Sequence, residues 1–390
     1  MNVAFIPARG GSRGIPGKNL ALLGGVPLLA HTVRQARAAA GIDRIVCSTD
    51  DEQIKEAAKR LGCEIVSRPA ALATDMASTE DAMRHFLQED GGLQDSDVIV
   101  LLQVTSPFRG QGAIDAALRR FDEARADSLV SVVATHRFRW HVSEGWAVAE
   151  DYAPAQRPRR QDLANRYVEN GSIYVTRVGA LLAEGHRLAG STVAFVMPED
   201  AALEIDSPWD LDNARALWPV WHRADCITLL RPIKMLAVDC DGVLTDNRVA
   251  VSESGAEAMI FNRGDGYGLH MARERGIELV VISREENPTV EHRCAKLKVK
   301  CLSGVADKAA AIASVAAASD LPRGAIAFMG NDLPDIPAMQ WVGVPIAVAD
   351  ADPEVVNVAR IITTRPGGGG AVREICDWLV AAGRHDRSPS

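Results

Sequence analysis

The sequence lacks the features that mark membrane, secreted and zinc-binding proteins. It has no run of about 18 apolar residues, so no membrane-spanning helix is predicted. The N-terminal segment MNVAFIPARG has no basic stretch before an apolar one, and we expect no signal peptide. The seven cysteines form no CxxC pair, and their odd number favours reduced, buried thiols over disulfides or zinc ligands. Together these absences predict a cytoplasmic protein.

Charge and length set further limits. The net charge of −8 at pH 7 speaks against nonspecific binding to nucleic acid, although local clusters of arginine and lysine could still bind phosphate groups. Hydrophobic residues make up 47% of the chain and charged residues 24%, the balance of a soluble globular protein. A chain of 390 residues is long for one hydrophobic core, so two domains are predicted.

Short β-branched segments alternate with alanine-rich helical segments along most of the chain. In the first half, helices are predicted at Leu28–Ala40 and Asp51–Leu61, and strands at Val3–Pro7, Arg44–Thr49, Val98–Gln103, Leu129–Ala134, Ser172–Thr176 and Val193–Met197. After an interruption near Trp218–Pro232, strands are predicted at Lys234–Val238, Ile277–Ile282, Val299–Leu302, Ala325–Met329, Pro345–Val348 and Arg360–Thr363. The pattern predicts two α/β domains with mostly parallel sheets, over residues 1–228 and 229–385, and no repeat relates them.

A glycine-rich loop, ARGGSRGIPGKN at residues 8–19, directly follows the first predicted strand. Its backbone N–H groups and cationic side chains could bind a triphosphate. It is not a Walker A loop, because Ser12 and Asn19 stand where that pattern requires glycine and Ser or Thr. The alternative is a glycine-rich turn with solvated charges.

Three further blocks follow this loop: LLQVTSPFR at 101–109, ENGSIYVTR at 169–177 and LEIDSPWDL at 203–211. In sequence and order the four blocks resemble those of the acylneuraminate cytidylyltransferases, also called CMP-sialic acid synthetases. Val104 stands where that family usually has proline, and Glu204 where it usually has aspartate. The resemblance implies a nucleotidyltransferase domain of the GT-A-like type, with a mixed, mostly parallel sheet.

The resemblance also implies roles for particular residues. The residues expected to bind CTP are Arg9, Ser12, Arg13, Lys18 and Asn19, with Ser78 lining the cytidine or sugar site. Arg9 and Arg13 would also act in catalysis, because a guanidinium fork holds phosphate oxygens in two places at once. The residues expected to bind the sugar acid are Gln103, Asn170 and, at its carboxylate, Arg160. A solvated basic loop at 157–160 is the alternative for Arg160.

Glu204 and Asp206 are two residues apart, so in a strand they would face one side and could share Mg²⁺. Asp206 is the better matched ligand of the two, and Asp210 is expected to cap a helix. The implied reaction is attack by the anomeric 2-hydroxyl of the sugar acid on the α-phosphorus of CTP, with loss of pyrophosphate. No side chain is indicated as the general base.

The second half contains VDCDGVLTD at residues 238–246, at the end of a predicted strand. Two carboxylates at this spacing suit a metal and a phosphoryl acceptor, although a DxD alone is usually a turn. The longer pattern resembles the first motif of the haloacid dehalogenase (HAD) superfamily, and most of all the 3-deoxy-manno-octulosonate 8-phosphate phosphatases. Ser283, Lys308 and GNDLPD at 330–335 match the later motifs in order.

This second resemblance implies a Rossmann-like HAD domain with an aspartate nucleophile, Asp239. Asp241 would first protonate the leaving alcohol and then activate water. Ser283 and Lys308 are the implied phosphate-binding residues. The implied Mg²⁺ ligands are Asp239, Asp241, Asp332 and Asp335. Many relatives read GDD where this chain has Asn331, so Asn331 and Asp332 are both candidates, and Asp332 is preferred.

The span from Asp246 to Gly264 has room for a hairpin but not for a cap domain. Related capless enzymes cover their active sites by forming tetramers, and Gly367–Gly370 with Arg373 resembles their segment that reaches a neighbouring subunit. We therefore expect a homotetramer formed through the C-terminal domain. A mobile glycine linker before a last helix is the alternative for that segment.

The resemblances together predict a bifunctional enzyme. Its phosphatase would act on the 9-phosphate of a nonulosonic acid, either sialic acid or its deaminated form KDN, and its synthetase would activate the free sugar with CTP. One alternative is that the HAD domain is only an assembly scaffold, as in animal relatives with eroded motifs. Another is CMP-octulosonate synthesis with an 8-phosphatase, and legionaminate or pseudaminate are further possible sugars.

Overall fold

A computed structural model describes residues 1–12, 14–74, 76–162, 166–255 and 257–383. The chain divides into two compact units, Met1–Leu217 and the residues from Trp218 onward. Within the described ranges, no helix is long and apolar enough to cross a membrane.

The first unit alternates strands and helices. Its strands are β1 (Asn2–Pro7), β2 (Leu22–Leu23), β3 (Val26–Pro27), β4 (Arg44–Thr49), β5 (Glu64–Ser67), β6 (Val98–Leu102), β7 (Ser128–Ala134), β8 (Trp140–Ser143), β9 (Trp146–Ala149), β10 (Tyr167–Arg177) and β11 (Thr192–Met197). Its helices are α1 (Leu28–Ala38), α2 (Glu52–Arg60), α3 (Thr79–Asp90), α4 (Ala113–Ala124), α5 (Val178–Glu184) and the start of α6 (Pro208–Leu230).

Within the described residues, seven of these strands form one sheet in the order β11-β7-β10-β6-β1-β4-β5. Every pairing is parallel except those of β10, which runs antiparallel to both β6 and β7. The pairing of β10 with β7 changes register between Glu169 and Tyr174. Gly171 lies in this bulge with a φ of +62°, a left-handed conformation that glycine adopts without strain. The mixed, mostly parallel sheet predicted from the sequence is confirmed.

Helix starts in this unit follow local hydrogen bonding. Ser78 accepts a bond from the backbone N–H of Asp81, whose carboxylate accepts one from the N–H of Ser78. This reciprocal capping box fixes the first turn of α3. The same helix ends at Gly91, with a φ of +58°. Ser78 is thereby held at a defined place beside the sheet.

The second unit is built on a parallel sheet. Its strands are β12 (Met235–Asp239), β13 (Ala250–Val251), β14 (Glu257–Ala258), β15 (Glu278–Ile282), β16 (Lys300–Leu302), β17 (Ile326–Gly330), β18 (Val344–Ala347) and β19 (Ile361–Ile362). Its helices after α6 are α7 (Arg263–Arg273), α8 (Pro288–Leu297), α9 (Lys308–Ala318), α10 (Ile336–Trp341), α11 (Pro353–Val358) and α12 (Ala371–Ala382).

The sheet order is β16-β15-β12-β17-β18-β19, and all of its pairings are parallel. Buried side chains cover both faces of this sheet, as the apolar strands VVI and AFM require. Strand β12 lies between β15 and β17, so the carboxyl ends of these three strands meet at one edge. The Rossmann-like arrangement predicted from the sequence is confirmed.

The predicted strands of both halves are present, with ends that shift by a few residues at most, except that β10 is longer. The interruption predicted near Trp218–Pro232 was wrong at the level of secondary structure, because α6 continues through it to Leu230 with Pro219 inside the helix. The aromatic and proline residues of this segment interrupt the alternation of strand-like and helix-like sequence, and the prediction depended on that alternation. The domain boundary after residue 228 stays a prediction.

Two buried serines on neighbouring strands allow a paired test of the core. Ser131 on β7 donates to Oδ1 of Asn170 (2.6 Å) and accepts from the N–H of Ile173 (2.8 Å). The hydroxyl of Ser172 on β10 is buried and finds no hydrogen-bond partner in the described part of the chain. Ser172→Ala should raise the free energy of unfolding by about 1 kcal/mol, since it removes an unpaired polar group.

Ser131→Ala should lower the same free energy by about 1–3 kcal/mol, because Asn170 and Ile173 lose their partner. Urea denaturation of both variants checks the pair. A loss of stability in Ser172→Ala equal to that in Ser131→Ala would contradict this account of the β7–β10 pairing.

Candidate active sites

The first unit has a cavity of about 260 Å³ at the carboxyl ends of β1, β5 and β6. It is lined by Pro7, Arg9, Ser12, Lys18, Asn19, Arg68, Ala77, Ser78, Thr79, Gln103, Val104 and Thr105. Six predicted site residues therefore share one cavity, although they come from three separate blocks of sequence. Their cationic and hydroxyl groups suit an anionic ligand.

The glycine-rich loop is held by bonds to its own backbone and to a neighbouring strand end. Nδ2 of Asn19 donates to the carbonyl of Arg9 (2.9 Å), and the N–H of Gly10 donates to Asp50 (2.9 Å). Asn19 is buried, so its amide ties the two ends of the loop together. Two cationic residues of the loop, Arg9 and Lys18, line the cavity.

Gly14 lets the same loop approach the segment that carries Glu204 and Asp206. A Cβ atom at Gly14 would clash with the carbonyl oxygen of Asp206. Beside this contact, Nζ of Lys18 forms an ion pair of 3.0 Å with Oδ1 of Asp206. One close backbone contact and one ion pair thus join the loop to Asp206, a predicted metal ligand.

Gln103 and Glu204 face the same point beside the β10 bulge. A Cβ atom at Gly171 would lie 2.7 Å from Oε1 of Gln103 and 2.6 Å from Oε1 of Glu204. Thr105 donates to the same Glu204 oxygen at 3.2 Å. Burial raises the pKa of Glu204, and Asp206 adds to the shift, whereas Thr105 and Lys18 oppose it.

Glu204 and Asp206 lie in an irregular segment just before α6 and not in a strand. Their side chains nevertheless interact, because the charge of Asp206 acts on Glu204. Two carboxylates with one compensating lysine are a donor set that Mg²⁺ accepts. When bound there, Mg²⁺ would neutralise charge on a polyphosphate.

Other predicted residues of this unit have different surroundings. Asn170 is 2% exposed, and its amide bonds Ser131, Ala201 and the sulfur of Met197. Asp210 accepts from the N–H and hydroxyl of Ser207 at the start of α6, which confirms the predicted cap. Arg13 and the side chain of Arg160 lie outside the described residues.

Arg68 lines the cavity but was not predicted as a site residue. It follows β5, a short strand absent from our predictions, and its guanidinium donates to Oγ and the carbonyl of Ser48. Only 9% of Arg68 is exposed, so these bonds fix a cation in the cavity wall. The adjacent β-branched residues Ile65 and Val66 were a weak signal for this strand.

The second unit gathers its candidate residues at the carboxyl ends of β12, β15 and β17. Lys308, at the start of α9, is 5% exposed and lies 2.7 Å from Oδ1 of Asp239 and 2.6 Å from Oδ1 of Asp335. The N–H of Cys240 also donates to Asp239 (2.8 Å). Burial and the charge of Asp335 raise the pKa of Asp239, and Lys308 opposes this shift. Lys308 therefore helps to keep Asp239 ionised as a nucleophile.

Asp241 is half-buried next to Ser283 and Glu285. Burial raises the pKa of Asp241, with a further contribution from Glu285, while Lys308 and a bond from Ser283 lower it. A carboxyl group with a raised pKa can hold a proton for transfer to a leaving group. Glu285 had not been predicted at this site, because the motif that contains Ser283 was matched at that residue and not beyond it.

Asn331 turns inward above Gly242, where a side chain on residue 242 would clash with its amide. One end of that amide lies 3.3 Å from Oδ2 of Asp239 and 2.8 Å from the carbonyl of Asp241. If the amide nitrogen occupies this position, it donates to both oxygens. If the amide oxygen occupies it, three oxygens lie close together, those of Asn331, Asp239 and Asp241. Oxygen sets of this kind suit Mg²⁺. In the described ranges no three His, Cys, Asp or Glu side chains form a metal site, so any cation needs the amide and carbonyl oxygens.

The two predicted ligands Asp332 and Asp335 are engaged elsewhere. Asp332 is exposed and accepts from the N–H of Leu333 (2.7 Å), as the cap of a short helix. Asp335 is fully buried and accepts from Lys308 and from the N–H groups of Asn331 and Asp332. Asp335 thus fixes both the lysine and the turn that presents Asn331.

The segment Gly367–Gly370 packs on its own unit. The N–H of Gly368 donates to the carbonyl of Val243 (2.9 Å), and a Cβ atom at Gly367 would clash with the carbonyl of Gly242. In this structure the segment therefore buttresses the turn after Asp239, and α12 begins directly after it. The predicted contact of this segment with a neighbouring subunit and the alternative of a mobile linker both stay predictions.

Comparison with known proteins finds relatives of both units. A family model for cytidylyltransferases matches residues 3–217, and one for haloacid dehalogenase-like hydrolases matches residues 298–375. The chain is 32% identical over 391 residues to the N-acylneuraminate cytidylyltransferase of Oncorhynchus mykiss, covering 97% of this chain and 88% of that protein.

The second unit has separate relatives. Over 160 residues the chain is 38% identical to the 3-deoxy-D-manno-octulosonate 8-phosphate phosphatase of Escherichia coli (strain K12), covering 41% of this chain and 85% of that enzyme. A crystal structure of the phosphatase of that name from Moraxella catarrhalis is 31% identical, covers 41% of this chain and 93% of its own, and superposes with a TM-score of 0.40. The chain therefore belongs to the cytidylyltransferase family and carries a second domain of the haloacid dehalogenase phosphatase type.

Proposed function

We propose that the first unit transfers CMP from CTP to the anomeric hydroxyl of a sialic acid or of KDN, and releases pyrophosphate. One observation carries this proposal: the cavity that gathers Arg9, Ser12, Lys18, Asn19, Ser78 and Gln103. Similarity to an N-acylneuraminate cytidylyltransferase over nearly the whole chain supports the choice of sugar.

In this reaction the side chains of the loop bind the triphosphate, with Arg9 and Lys18 as cations and Ser12 as a hydroxyl donor. Arg13 would join them, and Arg68 adds a fixed cation on the β5 side. The sugar acid lies beside Gln103 at the β10 bulge, and Arg160 is the residue that the family resemblance implies for its carboxylate. Asn170 supports that bulge from within, because its own amide bonds are made to protein groups.

The anomeric oxygen attacks the α-phosphorus, the bond to the β-phosphate oxygen breaks, and pyrophosphate leaves. Glu204 and Asp206 would hold Mg²⁺, which neutralises charge on the phosphates when bound. Lys18 exchanges its pairing with Asp206 for a phosphate oxygen as the nucleotide enters, since one ammonium group can reach either anion.

For the second unit, we propose hydrolysis of a phosphate ester on the same class of sugar acid. A carboxylate oxygen of Asp239 attacks phosphorus, Asp241 protonates the leaving alcohol, and water then releases phosphate from Asp239. Lys308 and Ser283 bind the phosphoryl oxygens. Asp239, the carbonyl of Asp241 and the Asn331 amide oxygen would hold Mg²⁺, with Asp335 in a supporting place.

The 9-phosphate of a nonulosonic acid is the proposed substrate, because its hydrolysis gives the sugar that the first unit uses. A second candidate is an octulosonate 8-phosphate, favoured by the 38% identity to the Escherichia coli phosphatase of that specificity. The buried Lys308–Asp239 pair supports activity over a scaffold role, since an inactive domain has no need to keep these charges in its interior.

We further propose assembly through the second unit as a homotetramer. Its β13–β14 hairpin region exposes three apolar side chains, Val249, Val251 and Ile260, of which Ile260 is 80% exposed. Apolar groups at this density on a capless phosphatase domain are suited to contact with another subunit.

Incubation with CTP, MgCl₂ and a panel of free sugar acids tests the first activity. We expect pyrophosphate release with a sialic acid or KDN, and far less with an octulosonate. Release with the octulosonate alone would replace the proposed sugar. The absence of release with every nonulosonic acid would remove the proposal for the first unit.

A crossed pair of variants separates the two activities. Asp206→Asn should lower kcat/KM of cytidylyl transfer by about 100-fold, because charge on the phosphates loses its compensation. It should leave phosphate release unchanged. Asp239→Asn should abolish phosphate release from the sugar 9-phosphate and leave transfer unchanged. No phosphate release by the wild type would leave the second unit as a scaffold.

Gly14→Ala tests the contact of the loop with Asp206. The added methyl group displaces the loop from the Asp206 carbonyl, so the KM for CTP should rise about tenfold. Gly11→Ala is the matched control, since a Cβ atom there meets nothing within 4 Å. Equal KM values for the two variants would show that this contact does not set the loop position.

A further inference from the structure

Arg109 is a buried cation without a counter-charge. It ends the TSPFR block and is 1% exposed. No carboxylate pairs with it in the part of the chain that the structure describes, and burial lowers the pKa of Arg109 to about 9. It is still protonated at neutral pH, so the fold bears the cost of burying a charge.

Its guanidinium joins the carboxyl end of β6 to the bulge in β10. Nε and Nη2 donate to the carbonyl of Ser172 at 3.1 and 2.9 Å, and Nη2 also donates to the carbonyl of Gln103. Nη1 donates to Oε1 of Gln35 at 3.0 Å. Gln35 in turn donates to the carbonyls of Pro107 and Arg109, at 2.7 and 3.2 Å.

The two carbonyls that Arg109 joins belong to the residues that frame the proposed sugar position. Gln103 carries the predicted sugar-binding amide, and Ser172 follows Gly171, beside which Gln103 and Glu204 meet. Ser106 adds a weaker tie, since its hydroxyl donates to the carbonyl of Asn170 at 3.2 Å. None of these bonds involves the loop at residues 8–19.

We infer that Arg109 is a positioning residue for the sugar acid, which holds Gln103 and residues 170–172 at a fixed separation. This inference rests on the proposed cytidylyl transfer. A planar guanidinium can reach both carbonyls and Gln35 at once, whereas an ammonium group has neither the fork nor the reach. A neutral residue would take both guanidinium donors from the buried carbonyl of Ser172 and would leave the carbonyl of Gln103 with a longer bond of 3.4 Å from the N–H of Ser106.

Arg109→Lys separates the sugar site from the nucleotide site. The KM for the sugar acid should rise about tenfold or more, because Gln103 loses its alignment. The KM for CTP should stay within about twofold, since the loop is held by other bonds. An equal rise in both KM values would overturn the inference, because it would indicate a general loss of structure.

Arg177→Lys is the matched control. Arg177 is the last residue of β10, the strand that carries Ser172. It donates to the carbonyl of Ala126 at 3.2 Å, stacks on Phe121 and does not line the cavity. Its replacement should leave the KM for the sugar acid unchanged. A rise in that KM as large as in Arg109→Lys would also overturn the inference.

Amide hydrogen exchange gives a readout that needs no activity. Peptides over residues 103–107 and 170–173 should exchange faster in Arg109→Lys than in the wild type. In Arg177→Lys the same peptides should exchange at the wild-type rate. Unchanged exchange in Arg109→Lys would overturn the inference, whether or not the wild type transfers CMP. If the wild type does not transfer CMP but Arg109→Lys still exchanges faster, the proposed function is wrong and the positioning role of Arg109 stands.

If Arg109→Lys does not fold, Gln35→Ala takes its place. This variant removes the bond to Nη1 and the two bonds from the Gln35 amide to the carbonyls of Pro107 and Arg109. It leaves the bonds from Arg109 to Gln103 and Ser172 in place, so the same peptides should exchange faster by a smaller factor. Exchange equal to that of the wild type in Gln35→Ala would then overturn the inference.

Discussion

A buried cation at the carboxyl edge of a sheet is the interaction on which each candidate site depends. In the second unit Lys308 is placed between Asp239 and Asp335, 2.7 and 2.6 Å away. In the first unit Arg109 donates to neutral oxygens, those of Gln103, Ser172 and Gln35. Removing Arg109 would take two donors from the buried carbonyl of Ser172, and removing Lys308 would leave the buried carboxylates Asp239 and Asp335 without their shared cation.

The difference between the two cations follows from the chemistry that each site is proposed to perform. A phosphatase nucleophile must stay ionised in a buried place, and an adjacent lysine favours the charged carboxylate. A sugar-binding site needs side chains at fixed positions more than it needs an ion pair. A guanidinium fork can hold backbone carbonyls in place without a partner carboxylate in the cavity. In the second unit, the carboxyl ends of parallel strands place loops from distant parts of the sequence together. In the first unit, the carboxyl end of β6 lies beside the bulge of the antiparallel strand β10.

Strand positions, the glycine-rich loop and the carboxylate motifs could be predicted, because each depends on local periodicity or on residue types at fixed spacing. Arg68, the bulge at Gly171 and the inward turn of Asn331 could not, because each is decided by tertiary pairing. Asp335 shows the limit clearly: its motif marks it as acidic and near a metal, yet its three bonds to Lys308, Asn331 and Asp332 are visible only in the fold. The interruption near Trp218 failed because Pro219 lies inside a continuous helix.

The central claim is that one chain frees a sugar acid from its phosphate and then couples it to CMP. A ³¹P NMR time course of the wild type with CTP, MgCl₂ and N-acylneuraminate 9-phosphate tests this directly. The account predicts that inorganic phosphate rises first, and that pyrophosphate and the CMP–sugar phosphodiester follow only as free sugar accumulates. Growth of the phosphodiester signal while the 9-phosphate ester signal remains at full strength would contradict it.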